Sequence, residues 1–321
     1  MKNEVGLWKI SVVVPVYNSS AILPQLVKEL QAELPKCADE FELILVNDAS
    51  PDHSWQIITD IVRERQWVRG IDLMRNAGQH NALLCGIRAA QYEIVATIDD
   101  DLQNPPAEIA RLLVKLREGF DVVYGVPERE QHGLFRDLAS RMTKLVLQNA
   151  MGAEIASHIS AFRVFRTMVR ESFQHYRGPF VSIDVLLTWG TTRFGALRVR
   201  HDPRRGGTSG YTLRTLVAHA LNMMTGFSVL PLQFASIIGF TFAFLGLLTL
   251  AYVTGRYVFH GTPVPGFPFL ASIIAIFSGA QLFALGIIGE YLARMHFRMM
   301  DRPAYTVRSA TPVKSSDERN A

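Results

Sequence analysis

Apolar and polar positions follow two rhythms along the first two hundred residues. Short runs rich in Val and Ile, "ISVVVPV" (Ile10 to Val16), "FELILVN" (Phe41 to Asn47), "VRGIDLM" (Val68 to Met74) and "EIVATID" (Glu93 to Asp99), read as buried strands. Between them "SAILPQLVKELQAEL", "SWQIITDIVRERQ" and "QHNALLCGIRAAQ" carry apolar residues at helical spacing. Strict alternation of strand and helix predicts an α/β, mostly parallel sheet with helices on both faces. "DVVYGVP" (Asp121 to Pro127) continues the series as a fifth strand. After it come a helix near "LFRDLASRMTKLVLQNAMG", the segment "SAFRVF" and a mixed stretch ending at "RFGALRVRHDP". Asn104, ahead of Pro105 and Pro106, is placed to cap the helix running through "AEIARLLVKLREG".

Past Arg205 the pattern changes. "GGTSGY" (Gly206 to Tyr211) reads as a hinge, and Leu213, Leu216, Val217, Leu221, Met224 and Phe227 share one helical face, as in a helix lying in a membrane surface. Leu230 to Val253 and Phe267 to Gly289 carry no charged residue and are long enough to cross a bilayer. This divides the chain into a globular domain (1–205), a hinge and interfacial helix (206–229), a two-span hairpin (230–295) and a polar tail (296–321), disordered past Ala310. A buried hairpin in a soluble protein is the competing reading of the two apolar stretches.

Composition agrees with a membrane-tethered chain: 49% of the 321 residues are hydrophobic, and they concentrate in the second half. A net charge of +4 is too small to argue for nucleic acid. Arg204, Arg205 and Arg214 precede the first apolar stretch, and Arg294, Arg298, Arg302, Arg308 and Lys314 follow the second, whereas the connector holds Arg256 alone. The positive-inside rule then puts both termini in the cytoplasm. Cys37 and Cys85 form no disulfide or metal pattern, in keeping with a reducing compartment, and the N-terminal run lacks the features of a signal peptide.

The chemistry gathers at strand ends. Tyr17-Asn18, Asn47-Asp48, Arg75-Asn76 and Asp99 to Asp101 each close a predicted strand, and ligands of parallel sheets bind at the carboxyl ends of strands. Along an extended segment Asp99 and Asp101 face one way and Asp100 the other. Two carboxylates with open positions beyond them suit Mg²⁺ or Mn²⁺ bound jointly with substrate phosphates, with Gln103 as a further oxygen. A solvated acidic turn would look the same in sequence.

"SVVVPVYN", "ILVNDASPD", "RNAGQHNALLCGI" and "IDDDLQNPPAEI" follow one another in the order and spacing of the family 2 glycosyltransferases. With two C-terminal spans, the chain resembles the polyprenyl-phosphate glycosyltransferases, from about Ile10 to about Pro303. The resemblance implies a GT-A (Rossmann-like) domain. In it Pro15, Tyr17, Asn18 and Asp48 border the nucleotide, with Asn76, Gln79 and Asp100 beside the nucleotide-sugar. Asp99, Asp101 and Gln103 hold the divalent ion, and Asp99, Asp101 and Arg136 serve catalysis. Arg136, Arg163, Arg204, Arg205, Ser209 and Tyr211 handle phosphate, including that of the lipid.

The implied reaction is inverting transfer of a sugar from a nucleotide diphosphate, uridine by default, to undecaprenyl or another polyprenyl phosphate, serving cell-envelope glycan or lipid A modification. The implied setting is the inner membrane, and a homo-oligomer such as a tetramer is compatible with it. The sequence departs from the family pattern at Asn47, at Ser19, at Gly210 and at Ala161. Many relatives have an acid at the first two positions and a lysine or arginine at the third. At the fourth, Ala161 stands where some relatives carry an acid, so no general base is assigned. A processive polysaccharide synthase, which needs more spans and a distal "QxxRW"-type motif, and a non-catalytic scaffold are the rival readings.

Overall fold

The computed structural model describes residues 8–127, 159–178, 181–203, 230–260 and 266–311. The chain divides into two compact units, one of Met1–Val217 with Arg302–Ala321 and the other of Ala218–Asp301. In the first unit the strands are β1 (Trp8–Val16), β2 (Ala38–Asn47), β3 (Val68–Leu73), β4 (Ile94–Thr97), β5 (Val122–Pro127), β6 (Arg163–Arg166), β7 (Phe194–Val199) and β8 (Val307–Ala310). They form one sheet in the order β7-β5-β6-β4-β1-β2-β3-β8. Strands β4, β1, β2 and β3 run parallel, as do β5 and β7, while β6 and β8 are antiparallel to their neighbours. The expectation of a mostly parallel sheet holds.

The central strands are apolar without alternation because both faces are covered. Ile10, Val12, Val14 and Val16 join Leu43 and Leu45 in one core. It is closed by Leu23, Leu26 and Leu30 of α1 (Leu23–Glu33), Ile58 of α2 (Ser54–Glu64), and Ile109, Leu112 and Leu116 of α4 (Glu108–Leu116). On the opposite face lies α3 (Gln79–Ala89), so close that a Cβ on Gly86 would stand 2.3 Å from a Val13 methyl. Here only glycine lets helix and sheet approach. A fifth helix, α5 (Ile183–Gly190), packs beside the 3₁₀ turn at Thr167–Phe173, where Tyr176 meets Trp189 edge-on at 5.4 Å.

Three expectations are corrected. Strand β4 ends at Thr97, so Asp99 to Asp101 lie in a turn and not on an extended strand end. Asn104 does not cap α4: the cap position is Ala107, without a side-chain bond, and the Asn104 Oδ1 stands 3.3 Å from His201 Nδ1. The segment after the hairpin is not a free tail either. Residues from Arg302 belong to the first unit, where β8 pairs with β3 and the Thr311 N–H donates to the Gly70 carbonyl at 2.9 Å.

In the second unit, α6 (Leu230–His260) and α7 (Phe267–Met299) are apolar over spans of 29 and 24 residues and almost wholly unburied. Among the described residues these helices are not buried as a soluble hairpin would be: side chains such as Phe240 and Leu282 are more than two-thirds exposed. Such a surface suits hydrocarbon, not water. The hydroxyls of Ser236, Thr241 and Thr249 bond the carbonyls four residues earlier, which satisfies them without water. Phe242 packs edge-on against Phe277 at 5.7 Å, holding the two helices together. The hinge and interfacial helix expected at 206–229 and the helix near 134–152 lie outside the described residues.

Candidate functional site

Four strands of the first unit stop at one crevice. The residues closing them line a cavity of about 260 Å³: Pro15, Val16 and Tyr17 at the end of β1, Asp48 after β2, Asn76, Gly78 and Gln79 ahead of α3, and Asp99, Asp100 and Asp101 after β4. Asn18, the remaining expected neighbour, is exposed beside Tyr17 with φ of 57°.

The carboxylates in this crevice do different things. Asp48, buried, accepts the Ala77 N–H at 2.7 Å on one oxygen and the Gly78 N–H at 2.8 Å on the other. That grip fixes the turn into α3, where Gly78 has φ of 92°, a value costly for any residue with a Cβ. Burial pushes the Asp48 carboxyl above its usual value, against the pull of those two N–H groups. Asp100 Oδ2 accepts the Tyr17 N–H at 3.3 Å and the Ser19 hydroxyl at 2.5 Å, so it is committed to the loop after β1. Its carboxyl is also raised by burial, partly offset by those bonds.

Asp99 accepts Gln79 Nε2 at 2.8 Å, and Asp101 accepts the Gln103 N–H at 3.1 Å. Burial pushes Asp99 up to about 7, helped by the charges of Asp101 and then Asp100, and opposed by Arg163 and the Gln79 bond. Asp101 thus presses on Asp99 more strongly than Asp100 does. All three aspartates line the one cavity, from a turn and not from an extended strand end.

Gln103 is not among the residues lining the cavity: its N–H serves Asp101 and its carbonyl accepts the Asp202 N–H at 2.8 Å. Arg163 is also not where a phosphate ligand belongs. It is 1% exposed, its guanidinium is paired with the Asp184 carboxylate, and Tyr124 donates to the same carboxylate at 3.1 Å. A phosphate would have to displace Asp184 from the interior to reach it. Arg136, Arg204, Arg205, Ser209 and Tyr211 lie outside the described residues.

Sequence reasoning notes Ser19 only as a departure from the family pattern and passes over Ser50, Asp52 and Ser54; the side chains of all four fasten the loop after β1. The signal is present in "NDASPDHS", a cluster of small polar side chains able to bond backbone, but its target lies some thirty residues earlier.

Among the described residues no group of three His, Cys, Asp or Glu side chains could hold a metal ion by itself. Asp99 and Asp101 bring two carboxylates to the cavity. Such a pair fits a hard divalent cation that takes its remaining oxygens from a ligand.

Comparison with known proteins agrees with this geometry. The chain is 32% identical over 320 residues to the undecaprenyl-phosphate 4-deoxy-4-formamido-L-arabinose transferase of Yersinia enterocolitica, covering 99% of this chain and 98% of that one. It is 32% identical over 314 residues to the enzyme of the same name from Pectobacterium carotovorum, covering 96% of each. Crystal structures of Mycobacterium tuberculosis glucosyl-3-phosphoglycerate synthase, one with Mn²⁺, UDP-glucose and phosphoglyceric acid, share the fold. That one has a TM-score of 0.52 at 18% identity, covering 69% of this chain and 79% of that one. Residues 11–175 match the family described as glycosyl transferase family 2. The chain therefore belongs to glycosyl transferase family 2 and is a glycosyltransferase.

Proposed function

We propose that this glycosyltransferase moves a sugar from a nucleotide diphosphate to undecaprenyl phosphate, or a polyprenyl phosphate like it, at the inner face of a membrane. The observation that carries the reading is the division of labour among the carboxylates. Asp48 and Asp100 hold the loops on either side, and Asp99 and Asp101 line the same cavity, where a cation and its diphosphate would sit. Whole-length similarity to undecaprenyl-phosphate transferases supports the acceptor, and the UDP bound by the structurally similar synthase supports a uridine nucleotide.

Asp99 and Asp101 are the residues that would hold Mg²⁺ or Mn²⁺, which when bound neutralises the leaving diphosphate. Gln79, bonded to Asp99, keeps that carboxylate turned toward the cavity, and Asn76 stands beside it for the sugar. Tyr17, half exposed at the rim, offers its ring to the base. The acceptor needs little activation, because a phosphate monoester with a second pKa of ~6 is already largely dianionic at neutral pH. Direct attack of its oxygen on the anomeric carbon, with departure of the nucleotide diphosphate, inverts that carbon. Ala161, whose carbonyl accepts the Thr97 hydroxyl at 2.7 Å, supplies no base, and none is required.

Lipid phosphate falls to Arg204 and Arg205. The Asp202 N–H donates to the Gln103 carbonyl at 2.8 Å, which ties the segment ahead of these arginines to the aspartate turn. The pairing of β8, after α7, with a sheet built from strands before α6 supports two crossings with both flanks on one side of the membrane.

The test is an assay of membranes with radiolabelled nucleotide-sugars and undecaprenyl phosphate, with and without chelator. A metal-dependent glycolipid is expected, together with a loss of roughly 10²-fold or more in Asp101→Ala. No lipid product from any donor, or full activity in Asp101→Ala, overturns the proposal.

A further inference from the structure

Four successive backbone N–H groups follow β1, and each is taken by a side chain from another part of the chain. Tyr17 N donates to Asp100 Oδ2 at 3.3 Å, Asn18 N to Ser50 Oγ at 3.1 Å, Ser19 N to Ser54 Oγ at 3.1 Å and Ser20 N to Asp52 Oδ2 at 3.0 Å. The Ser19 hydroxyl stands within bonding distance of both Asp100 Oδ2, at 2.5 Å, and the Tyr17 carbonyl, at 3.1 Å. The Ser19 carbonyl accepts the N–H groups of Ile22 and Leu23 at the start of α1.

Consecutive N–H groups ahead of a helix commonly cradle a phosphate. Here their partners are already inside the protein, so this loop is a wall and not an anion nest. What it presents to the cavity is Pro15, Val16 and Tyr17, and the Tyr17 ring is half exposed there. Three acceptors come from the loop that leads from β2 into α2. Ser54 is fully buried, and the other Asp52 oxygen accepts the Ser54 N–H at 3.1 Å, which locks the clamp to the first turn of α2. Asn18, between these anchors, holds a left-handed φ of 57° that a free loop would seldom adopt.

We infer that Ser19, Ser50, Asp52 and Ser54 are positioning residues for the donor: by occupying or bracing these N–H groups they hold the Tyr17 wall in its binding shape before the nucleotide arrives. The inference rests on the reading of the cavity as the nucleotide-sugar site. Ordering the loop during folding spares that cost on binding, so the effect belongs in donor affinity and not in the chemical step.

The test compares full-length wild type with the double variant Ser50→Ala/Ser54→Ala, in detergent with Mn²⁺. The readouts are calorimetric binding of UDP, GDP and dTDP, steady-state kinetics with the active donor, and amide hydrogen exchange at residues 17–20. Expected are exchange faster by about tenfold at these amides, nucleotide affinity and donor KM worse by roughly five- to twentyfold, and kcat within about twofold. Ser50→Thr, which keeps the acceptor, should behave as wild type. If the double variant does not fold, Ser19→Ala, which removes only the bond to Asp100 and its own carbonyl contact, is read in its place.

Faster exchange with unchanged affinity and KM, or affinity lost with unchanged exchange, overturns the inference while leaving the donor reading intact. A folded wild type that binds none of the three nucleotides overturns the donor reading, and the inference with it.

Discussion

Three adjacent aspartates behave as two kinds of residue, because their neighbours differ. Asp100 spends an oxygen on the Tyr17 N–H and the Ser19 hydroxyl of the loop after β1, whereas Asp99 accepts the Gln79 side chain and Asp101 the Gln103 N–H. Asp101→Asn should therefore lower kcat by about 10²-fold or more, while Asp100→Asn should act mainly on donor KM. Equal kcat losses would show that Asp100 shares the work assigned to its neighbours. Arg163 makes the complementary point. With its charge buried against Asp184, Asp184→Asn would strand a cation in the interior and should destabilise the first unit by about 3–5 kcal/mol, measured by thermal or denaturant unfolding. The convergence of strand ends is legible in the sequence, since a run of Val and Ile that stops on a polar pair marks both the strand and its end. The fate of a lone arginine is not. Arg163 in "SAFRVF" looks as available as any surface arginine until a helix brings Asp184, 21 positions later, against it.

Between elements, polar residues pin what the hydrophobic pattern leaves loose. At one edge of the sheet Asp121 joins three strands: Thr191 donates to it at 2.6 Å, Arg193 at 2.9 Å, and Arg166 stands 3.5 Å away. Burial pulls the Asp121 carboxyl upward, but the Thr191 and Arg193 bonds and the charges of Arg193 and Arg166 outweigh it and hold the group below its usual range. A depressed carboxylate stabilises the fold above its unfolded pKa of about 3.9, and that contribution fades as pH falls through the lower folded value. Asp121→Asn should then cost about 1–3 kcal/mol at pH 7. The gap to wild type should narrow in unfolding curves as pH falls from the unfolded value through the lower folded one. A gap that persists there would assign the loss to packing.

At the other edge, β8 closes on β3. Arg308 reaches Asp72 at 3.4 Å and the Met74 carbonyl at 3.1 Å, and the Met74 N–H donates to Thr306 at 2.8 Å. This edge is invisible in the sequence. All four β8 residues are exposed, so no alternation betrays the strand, and its partner lies more than two hundred positions back. Because β3 delivers Asn76 and Gly78 to the cavity, a chain ending at Asp301 should show both a lower Tm and a higher donor KM. An unchanged KM would confine β8 to covering the edge.

For the whole molecule, that same edge bears on the proposed route of the chain through a membrane. Helices of 31 and 33 residues are about 46 and 50 Å long, ample for a hydrocarbon core of about 30 Å. Their apolar stretches are legible at once, because charge-free runs of that length have few other uses. Which side each end occupies is the harder question, and two independent lines meet on it. Arginines and a lysine concentrate before α6 and after the apolar part of α7, which favours the cytoplasm for both flanks. The β3–β8 pairing is compatible with the same arrangement, in which both flanks lie on one side. An alkaline phosphatase reporter, active only outside the cytoplasm, should be active when inserted in the 261–265 connector and inactive when fused after Ala321. A β-lactamase or fluorescent-protein fusion gives the reciprocal check. Activity at both positions would mean that the chain crosses only once, which would break the β3–β8 pairing. Activity at the C-terminus alone would put the whole first unit outside, away from cytoplasmic nucleotide-sugars, and so would remove the donor on which the proposed reaction depends.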